Sequence, residues 1–575
     1  MFSGIIASSG VAIGVSYVLK ESDITLSTGM LDASEVDAEL YRFWQAREKT
    51  VVQLEMIRER TAARMGAEEA AVFEGHILVA TDEELESEVV RAISELRPAD
   101  QALSDVICEN IMALEELDDP YLRERGVDIK DVGSRMLRNL LGLEVTSLSG
   151  FSEGTILIAD DLTPSETSLI DVARVRGVIT NLGGRTSHSA IMARSLELPA
   201  IVGSQVATER IKNGVRLVLD AINNKVLVDP DEETLQYYEK LQKQLLEERQ
   251  SLSRLKDLPC QTFDGREYGV CANIGTAKDV EGALRHGAEG IGLYRTEFLF
   301  MDRIQMPCEE EQFEAYRCVA QAVNRRTVII RTLDIGGDKD LSYLELPREK
   351  NPFLGWRAIR MCFDNPWILK NQLRAILRAS AYGRVKIMFP MVVSVDEVRR
   401  LKSMVKAEQE ALAISGISFD QGIEIGVMVE TPSAVLIADL LIEEVDFFSI
   451  GSNDLTQYLL AVDRGNNRIS GLYDYFSPSV LRAVKRVVDC AHNVGKWVGM
   501  CGEMAGDELA VLLLAGFGMN EFSMSATYIP RVKKVLRKNR FTDLKALAGL
   551  AVNLATAREV RELLEDYGKR QLTVS

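Results

Sequence analysis

The 575-residue chain exceeds one hydrophobic core, so its length predicts about two to four domains. Its hydrophobic content of 46% and charged content of 27% are those of a globular protein, and no apolar run approaches the ~20 residues of a membrane span, which argues against membrane insertion. A net charge of −19 argues against nucleic acid as a partner, and eight scattered cysteines without a Cys-x-x-Cys pair predict reduced thiols in a cytoplasm rather than zinc ligands or disulfides.

Residues 1–20 are predicted to contain the first strand, because they are mildly apolar and Gly-rich and lack the basic start of a signal peptide. Residues 21–146 show a helical pattern, as in 38–64 and 83–96. Short β-rich runs return over residues 147–229. This order predicts an α/β domain, formed by residues 1–20 and 147–229, that is interrupted by an all-helical insert. The β-rich runs are 155–158, 177–180, 200–202 and 216–219.

The predicted helical insert carries most of the net charge. Residues 68–119 hold sixteen acidic and two basic residues, and apolar side chains lie among them at helical spacing, namely Val72, Phe73, Ile77 and Leu78. A solvated helical face is the ordinary explanation of a charge run. An acidic surface with apolar anchors instead favours docking of a basic protein that is steered by charge. The residues predicted to dock such a partner are Glu68, Glu69, Glu74, Leu78, Glu83 and Glu84.

One of the four histidines, His188, follows a Gly-rich run that begins at Gly183, and an Ala-rich apolar helix is predicted just after it. Free amides of a Gly-rich turn and of a helix N-terminus attract anions. A neutral imidazole nitrogen is also a good nucleophile near neutral pH. The combination predicts a histidine that accepts a phosphoryl group. The alternative is a histidine that is simply hydrogen-bonded within the turn.

Residues 231–256 are predicted to form one long polar helix with a narrow apolar stripe, supported by the i,i+4 pair of Glu239 and Lys243. A linker between domains, over residues 230–258, fits this pattern best. A short coiled-coil dimer seam is the alternative.

Residues 259–575 repeat one unit of apolar strand, polar loop and amphipathic helix. Strands that alternate with helices indicate a parallel sheet, and eight of them predict a closed (β/α)₈ barrel of the TIM type. The fold class is therefore α/β with several domains. The predicted strands are 269–272, 290–294, 327–333, 385–391, 423–429, 447–450, 497–500 and 521–524.

Polar side chains follow five of these strands at their C-terminal ends, where such barrels carry out chemistry. Arginine forks bind planar or tetrahedral anions bidentately, and two neighbouring carboxylates can hold one hard divalent cation. We therefore expect a small dianion clamped between arginines and a metal ion, although a surface ion pair is the usual role of any single arginine. The residues at these ends are Arg295, Arg331, Glu430, Asn453, Asp454 and Cys501, and two more arginines, Arg357 and Arg464, lie in loops at suitable positions.

Cys501 has two interpretations. A lone cysteine is usually a small buried hydrophobic residue. At the mouth of a barrel its thiol, protonated at neutral pH, can instead serve as a proton donor.

These motifs resemble those of Enzyme I of the bacterial phosphoenolpyruvate:sugar phosphotransferase system, and the resemblance extends over essentially the whole chain. Two small departures are Ser9, where the family usually has proline, and Ser452, where threonine is more usual; neither changes a charged group. The segments that carry the resemblance are 162–167, 183–188, 290–300, 334–339, 351–357, 451–458 and 500–503.

The resemblance implies that the phosphoryl group of phosphoenolpyruvate passes to Nε2 of His188 and then to a histidine of the small histidine phosphocarrier protein, with release of pyruvate, as the first step of sugar uptake. Mg²⁺ would be held by Glu430 and Asp454. Cys501 would protonate the enolate at carbon, and Thr167 would hydrogen-bond and orient the His188 ring. The implied phosphoenolpyruvate contacts are Arg295, Arg331, Asn453, Asp454 and Arg464, with Arg357 as a further anion contact.

The resemblance also implies that the helical insert docks the phosphocarrier and that the barrel forms a homodimer. Because one imidazole must meet both the barrel and the carrier, we expect a large swivel of residues 1 to about 230, with hinges near the linker helix.

Three other functions are considered. Phosphoenolpyruvate synthase and pyruvate phosphate dikinase also need an ATP-binding domain, and the chain has no Walker-type loop. A nitrogen-branch Enzyme I would typically carry an additional N-terminal sensor domain, whereas this sequence starts at the first predicted strand. A non-catalytic scaffold would not need His188, Glu430, Asp454 and Cys501 together.

Overall fold

The computed structural model of the chain describes residues 1–19, 25–65, 67–115, 120–143, 152–168, 170–184, 187–196, 198–301, 303–336, 341, 343–344, 349–466 and 468–574. Within these ranges the side chains of residues 63–65, 67–69, 115, 120–125, 168, 188, 195, 249 and 571–574 are not described. The chain divides into two compact units, residues 1–247 and residues 248–575.

The first unit contains a seven-stranded sheet with the order β1-β5-β4-β3-β2-β6-β7. Strands β2, β3, β4 and β5 are parallel, and β1, β6 and β7 pair antiparallel at the two sides. Separate apolar clusters form around β3–β5, one of them including Leu157 and Val178 and another Ile156 and Ile179, as expected for strands that are buried on both faces. The strands are β1 Ile5–Ser8, β2 Val11–Val18, β3 Thr155–Ala159, β4 Val175–Thr180, β5 Ala200–Val202, β6 Arg216–Asp220 and β7 Lys225–Val228.

In the described part of the chain between β2 and β3 there are five helices, so the predicted helical interruption of the α/β part is confirmed. They have their own apolar core, which includes Phe43, Leu54, Val89 and Leu103. The helices are α1 Val36–Met65, α2 Ala67–Ala80, α3 Glu83–Ser94, α4 Ala99–Glu115 and α5 Pro120–Leu140.

Between β3 and the first strand of the barrel, the described residues form four further helices, namely α6 Pro164–Ser168, α7 His188–Ser195, α8 Ala207–Arg210 and α9 Glu232–Ser253. Helix α9 is the predicted long polar helix. Its Leu235 and Tyr238 are buried against Val11 and Val218 of the sheet, and the Tyr238 hydroxyl donates a hydrogen bond of 3.0 Å to Asp220 Oδ2. The first part of the apolar stripe therefore packs within the chain rather than forming a coiled-coil seam.

The second unit contains a closed barrel of eight parallel strands, β8 to β15, in chain order, so the predicted (β/α)₈ fold is confirmed. Predicted and observed bounds agree for β13, β14 and β15 and differ by at most two residues at either end of the others. The strands are β8 Gly269–Ile274, β9 Ile291–Arg295, β10 Thr327–Arg331, β11 Arg384–Phe389, β12 Ile425–Val429, β13 Phe447–Ile450, β14 Trp497–Met500 and β15 Glu521–Met524.

Helices follow the barrel strands and pack their apolar faces on them. Their bounds are α10 Asp279–Arg285, α11 Glu309–Ala322, α12 Ile359–Asp364, α13 Pro366–Ser380, α14 Val395–Ile414, α15 Pro432–Leu436, α16 Ala438–Glu444, α17 Ser452–Leu460, α18 Pro478–Asn493, α19 Glu508–Phe517, α20 Ile529–Lys538, α21 Phe541–Ala551 and α22 Ala557–Val574. Within the described part of the chain, no helix combines the length and the apolar character that crossing a bilayer requires.

Candidate active site

A cavity of about 340 Å³ lies where β9, β10, β12, β13 and β14 end. All eight polar residues predicted for the mouth of the barrel, including Arg357 and Arg464 from loops, line it. The alternative of ordinary surface ion pairs does not apply to Arg331 and Arg357, because both are buried. The other lining residues are Leu293, Glu297, Phe298, Asp334, Phe353, Met428, Gly451, Gly502 and Glu503.

Arg331, the last residue of β10, is a fixed cation in the cavity wall. Its Nη2 donates to Glu297 Oε1 at 2.6 Å, and its Nη1 lies 3.1 Å from Asp334 Oδ2. Burial alone would lower the pKa of Arg331, but the neighbouring Glu297 and Asp334 outweigh burial and raise it above its ordinary value. The guanidinium therefore stays charged and oriented.

Arg357 reaches the cavity from the loop between β10 and α12, and Gly336 permits this approach. Gly336 has a φ of +109°, and a Cβ atom there would lie 2.5 Å from Arg357 Cβ. The Arg357 Nη2 atom donates to Asp334 Oδ1 at 2.9 Å and to Asp454 Oδ2 at 3.2 Å. Arg357 thus joins the ends of strands β10 and β13 through one guanidinium.

The other two arginines of the cavity, Arg295 and Arg464, make fewer contacts with acidic residues than Arg331 and Arg357 do. No residue in the described ranges forms a hydrogen bond or ion pair with the Arg295 guanidinium. Arg464 is 39% exposed, and its Nη2 lies 3.9 Å from Asp454 Oδ1, which is an ion-pair contact but not a hydrogen bond. Both cations are therefore available to an incoming anion.

Glu430 and Asp454 are the two carboxylates predicted to hold a metal. Glu430 is only 1% exposed and accepts a hydrogen bond of 2.6 Å from the Met391 amide. Burial, together with the nearby Asp454 and Asp334, raises the pKa of Glu430 to about 8, although Arg331 and Arg357 act to lower it. The Oδ1 atom of Asp454 is buried and has no hydrogen-bond partner among the described residues.

The carboxylate oxygens of Glu430 and Asp454 suit a hard divalent cation. Such a cation neutralises the negative charge of buried carboxylates and completes its coordination with water and substrate oxygens. Over the described ranges, no cluster of three or more His, Cys, Asp or Glu side chains has metal-ligand geometry. The residues therefore fit a site with one or two protein carboxylates rather than a closed protein cage.

Cys501 follows β14 and packs in the barrel interior with Leu293, Met428 and Phe447. It is 3% exposed, and its thiol lies 3.8 Å from the Ile450 carbonyl oxygen, to which it can donate. Burial raises the pKa of the thiol to about 11, against smaller opposing effects of Ser449 and Arg331. Cys501 is thus both the buried residue and the neutral thiol at the cavity that the two interpretations describe.

Asn453 and Glu503 hold the ends of β13 and β14 together. Asn453 Nδ2 donates to Glu503 Oε1 at 3.3 Å, and the Glu503 amide donates to Asn453 Oδ1 at 3.0 Å. Gly502 is required between them, because a Cβ atom at this position would lie 1.9 Å from Ser452 Oγ. The Asn453 amide group therefore has a fixed orientation at the cavity.

In the first unit, His188 is the first residue of α7, and Ser187 caps the helix by accepting a hydrogen bond from the Ala190 amide. The helix predicted after the Gly-rich run is confirmed, while the His188 side chain lies outside the described atoms, as do residues 185–186 of the motif and residues 337–339 of the motif after β10. The Thr167 hydroxyl is within donating distance of the Thr163 and Pro164 carbonyl oxygens, at 3.0 and 2.9 Å. The proton of this hydroxyl is therefore used within the first turn of α6, which leaves the Thr167 oxygen with only its acceptor capacity for a further hydrogen bond.

Of the predicted docking residues, Glu74, Leu78, Glu83 and Glu84 are exposed, and Leu78 is exposed by 71%. The side chains of Glu68 and Glu69 lie outside the described atoms. Phe73 cannot serve as an apolar anchor, because it is 2% exposed in the core of the helical insert. The expectation of four apolar anchors is therefore wrong for Phe73, and only Leu78 is fully presented to solvent.

Sequence reasoning did not single out Glu297 and Asp334, although both are essential to the electrostatics of the cavity. Each is buried and pairs with Arg331. Both residues directly follow strand ends that were recognised, Glu297 after β9 and Asp334 after β10. The signal that could have identified these two acids is their short distance in the sequence from the predicted arginines Arg295 and Arg331.

Three family models of PEP-utilising enzymes match the chain: the PEP-binding domain over residues 249–541, the N-terminal domain over 3–125 and the mobile domain over 151–224. A phosphoenolpyruvate-protein phosphotransferase of Haemophilus influenzae is 52% identical over 99% of both chains. The enzyme of the same name from Staphylococcus carnosus is 47% identical over 98% of this chain and 99% of its own. An Enzyme I protein solved by NMR in solution is 40% identical over 43% of this chain and 99% of its own, with a TM-score of 0.39.

Proposed function

We infer the reaction from the family to which the chain belongs, the phosphoenolpyruvate-protein phosphotransferases within the PEP-utilising enzymes. The chain is a transferase that catalyses phosphoryl transfer from phosphoenolpyruvate. We propose that its own acceptor is Nε2 of His188, and that a histidine of the phosphocarrier protein takes the group next, at the start of sugar uptake. Relatives of this name match the full length, which favours this function over phosphoenolpyruvate synthase and pyruvate phosphate dikinase.

The observation that carries the proposal is the gathering of four arginines, five acidic residues that include Glu430 and Asp454, and one buried neutral thiol around a single cavity. Phosphoryl transfer needs alignment and charge neutralisation more than covalent work by protein groups. Arg295 and Arg464 have guanidinium groups available to the substrate phosphate or carboxylate. Arg331 and Arg357 are held rigidly by acids and supply fixed positive charge.

The proposed transfer forms one bond at phosphorus and breaks another. The Nε2 lone pair of His188 forms the N–P bond while the P–O bond to the enol oxygen breaks. The electron pair of the broken bond stays on the enolate of pyruvate. Cys501 donates its thiol proton to the terminal carbon of the enolate, which gives pyruvate, and the thiolate recovers a proton from solvent.

Glu430 and Asp454 would hold the divalent cation, which we propose to be Mg²⁺. The cation would neutralise phosphate charge when bound. Support comes from the buried Asp454 Oδ1, which lacks a hydrogen-bond partner in the described part of the chain, and from the strongly buried Glu430.

Cation binding should release a proton from Glu430, because the pKa of this carboxyl is about 8 in the absence of metal. We expect the apparent affinity for Mg²⁺ to rise about eightfold from pH 6.5 to pH 7.5 and to level off above about pH 9, where the carboxyl is already ionised. Titration calorimetry in two buffers of different ionisation enthalpy measures both the affinity and the protons released. In Glu430→Gln the affinity should be lower and independent of pH; an unchanged pH dependence would assign the proton to another group.

The exposed acids of α2 and α3 support docking of the phosphocarrier at the helical insert. We expect Glu83→Lys combined with Glu84→Lys to slow association with the carrier about tenfold at low salt, because charge steers the encounter. Leu78→Ala should mainly raise the dissociation rate. Stopped-flow binding checks both effects, with Glu281→Lys plus Asp566→Lys on the barrel as a control of equal net charge. Equal slowing in the control would remove the argument for a specific docking face.

Incubation with labelled phosphoenolpyruvate and Mg²⁺ tests the proposed function directly. We expect acid-labile, base-stable label on the peptide that contains His188, and its removal by the phosphocarrier with release of pyruvate. Label from ATP instead would favour the dikinase alternative. The swivel of the His188-bearing part and a homodimer through the barrel remain parts of the proposal, tested by a crosslink between the two units and by ultracentrifugation.

A further inference from the structure

The residue after the proposed phosphoryl acceptor is tied to a different part of the fold. Ser189 lies in the first turn of α7 and is 2% exposed. Its hydroxyl donates to Asp161 Oδ1 at 2.7 Å, with the Leu162 carbonyl oxygen at 3.3 Å. A hydroxyl-to-carboxylate bond of this length is charge-assisted and among the stronger side-chain hydrogen bonds. It fixes the first turn of α7 to the segment that leaves β3.

The residue before the acceptor is held as well, but by the Gly-rich turn. The Ser187 hydroxyl donates to the Gly184 carbonyl oxygen at 2.9 Å and accepts from the Ala190 amide at 3.4 Å. The backbone of His188 is therefore fastened on both sides, by Ser187 to the preceding turn and by Ser189 to Asp161.

Asp161 is itself held in place for this contact. Its Oδ1 also accepts a hydrogen bond of 2.8 Å from the Leu162 amide. The adjacent Asp160 takes a different role, accepting from Asn181 Nδ2 at 2.6 Å and from the Thr208 hydroxyl at 2.9 Å. Of the two consecutive acids, Asp161 is thus the one committed to α7.

We propose that Asp161, acting through Ser189, is a positioning residue for the phosphoryl acceptor. The pair orients the His188 backbone, so that the imidazole approaches phosphorus along a defined line. The inference rests on the proposed function of His188. In-line transfer depends steeply on alignment, and a displacement of about 1 Å can cost as much as 100-fold in rate.

Single-turnover transfer from labelled phosphoenolpyruvate, measured by rapid quench on the full chain, tests the proposal. We expect Ser189→Ala and Asp161→Ala each to slow transfer to His188 by about 10- to 100-fold, with the KM for phosphoenolpyruvate unchanged within about twofold. Transfer onward to the phosphocarrier should fall by a similar factor, because the same ring takes part in both steps. Ser189→Thr and Asp161→Asn, which keep the donor and the acceptor, should restore most of the rate.

The double variant separates positioning from general damage. If both residues act through one hydrogen bond, Ser189→Ala combined with Asp161→Ala should be no slower than either single variant within about twofold. Losses that multiply, or single variants within threefold of the parent chain, would overturn the proposal. Matching thermal unfolding and circular dichroism of the variants show that the fold is retained.

The same experiment distinguishes this inference from the function on which it rests. If the parent chain takes no label at His188, the proposed function fails. If the parent chain is labelled and the variants react at the parent rate, only the positioning role fails. Imidazole ¹⁵N shifts of His188 supply a second readout, since loss of the anchor should change the tautomer ratio of the ring while leaving the barrel resonances in place.

Discussion

Replacing His188 with alanine should abolish phosphoryl transfer from phosphoenolpyruvate to the chain and onward to the phosphocarrier. The acceptor nitrogen is removed, so no other group can form the N–P bond at that place, and we expect a loss of more than about 10⁴-fold in turnover. Pyruvate release in the presence of the carrier should fall to the rate without enzyme. Quench-flow labelling and a coupled pyruvate assay measure the two losses.

Two of the other histidines show whether the loss of activity is specific to His188. His76 is completely buried and pairs with Asp128, so it cannot reach a phosphate donor without local unfolding. His492 is exposed on α18, outside any Gly-rich turn, and His492→Ala is therefore the matched control for loss of an imidazole. The control should keep full activity. Residual label in His188→Ala, mapped by mass spectrometry to another histidine, would show that the acceptor was assigned wrongly.

His188→Ala should leave the barrel intact. Because the proposed phosphoenolpyruvate contacts belong to residues 248–575 and the histidine belongs to the first unit, the affinity of the variant for phosphoenolpyruvate should stay within about twofold of the parent value. Equilibrium binding of phosphoenolpyruvate in the presence of Mg²⁺ checks this. A large loss of affinity would mean that the variant disturbs more than the acceptor.

The barrel could be predicted from the sequence because its strands are short, apolar and regularly spaced. Strands such as Phe447–Ile450 and Trp497–Met500 are bounded by polar loops and buried on both sides, so periodicity and length fix their ends. The position of the cavity could be predicted from the same strand boundaries. Parallel strands of a closed barrel end on one rim, and Arg331, Glu430 and Asp454 were each placed at or shortly after the C-terminal part of a predicted strand.

The electrostatic pairing inside the cavity could not be predicted in the same way. From the sequence, Asp334 could face Arg331, Arg357 or solvent. Its contact with Arg357 depends on the course of a loop, because Arg357 lies more than twenty positions further along the chain and Gly336 allows the close approach. Sequence spacing carries no information on that path. The raised pKa of Glu430 arises from burial and from two neighbouring acids, so it too becomes visible only in three dimensions.

The helical insert shows a different limit. Phe73, Ile77 and Leu78 lie within two turns of α2, and helical spacing alone allows several choices of buried face. The structure buries Phe73 in the core formed with the other helices of the insert, and leaves Leu78 exposed. Packing against the other helices decides which apolar residue of α2 is buried and which one stays exposed as an anchor. The local sequence pattern carries no information on those packing partners.

Replacing Cys501 with alanine should separate phosphoryl transfer from pyruvate formation. The N–P bond forms without the thiol, so single-turnover labelling of His188 should persist, whereas protonation of the enolate at carbon loses its acid. We expect steady-state pyruvate formation to fall by about 10²- to 10⁴-fold, the usual contribution of a positioned proton donor. Rapid-quench labelling and pyruvate assay of the same sample measure the two steps.

A packing control is needed because Cys501 belongs to the barrel interior. Cys362 is also fully buried, and burial raises its pKa to about 12, but it lies on α12 and does not line the cavity. Cys362→Ala removes the same volume, with a comparable stability cost of roughly 1 kcal/mol. Its pyruvate formation should match the parent chain. Equal losses in both variants would assign the effect to the core and not to acid catalysis.

Stereochemistry gives the sharpest form of the test. In deuterated water, a thiol fixed at the cavity wall should deliver the deuteron to one face of the enolate, so that pyruvate made from stereospecifically labelled phosphoenolpyruvate is chiral. Without the thiol, solvent protonates both faces and the product should be racemic. With the Cys501 pKa at about 11, the stereospecific step should also be insensitive to pH between about 6 and 9.5, because the thiol stays protonated throughout. Chiral product from Cys501→Ala would place the proton on another group. An alkaline loss centred near the ordinary thiol pKa of about 8.5 would show instead that burial does not raise the pKa of Cys501.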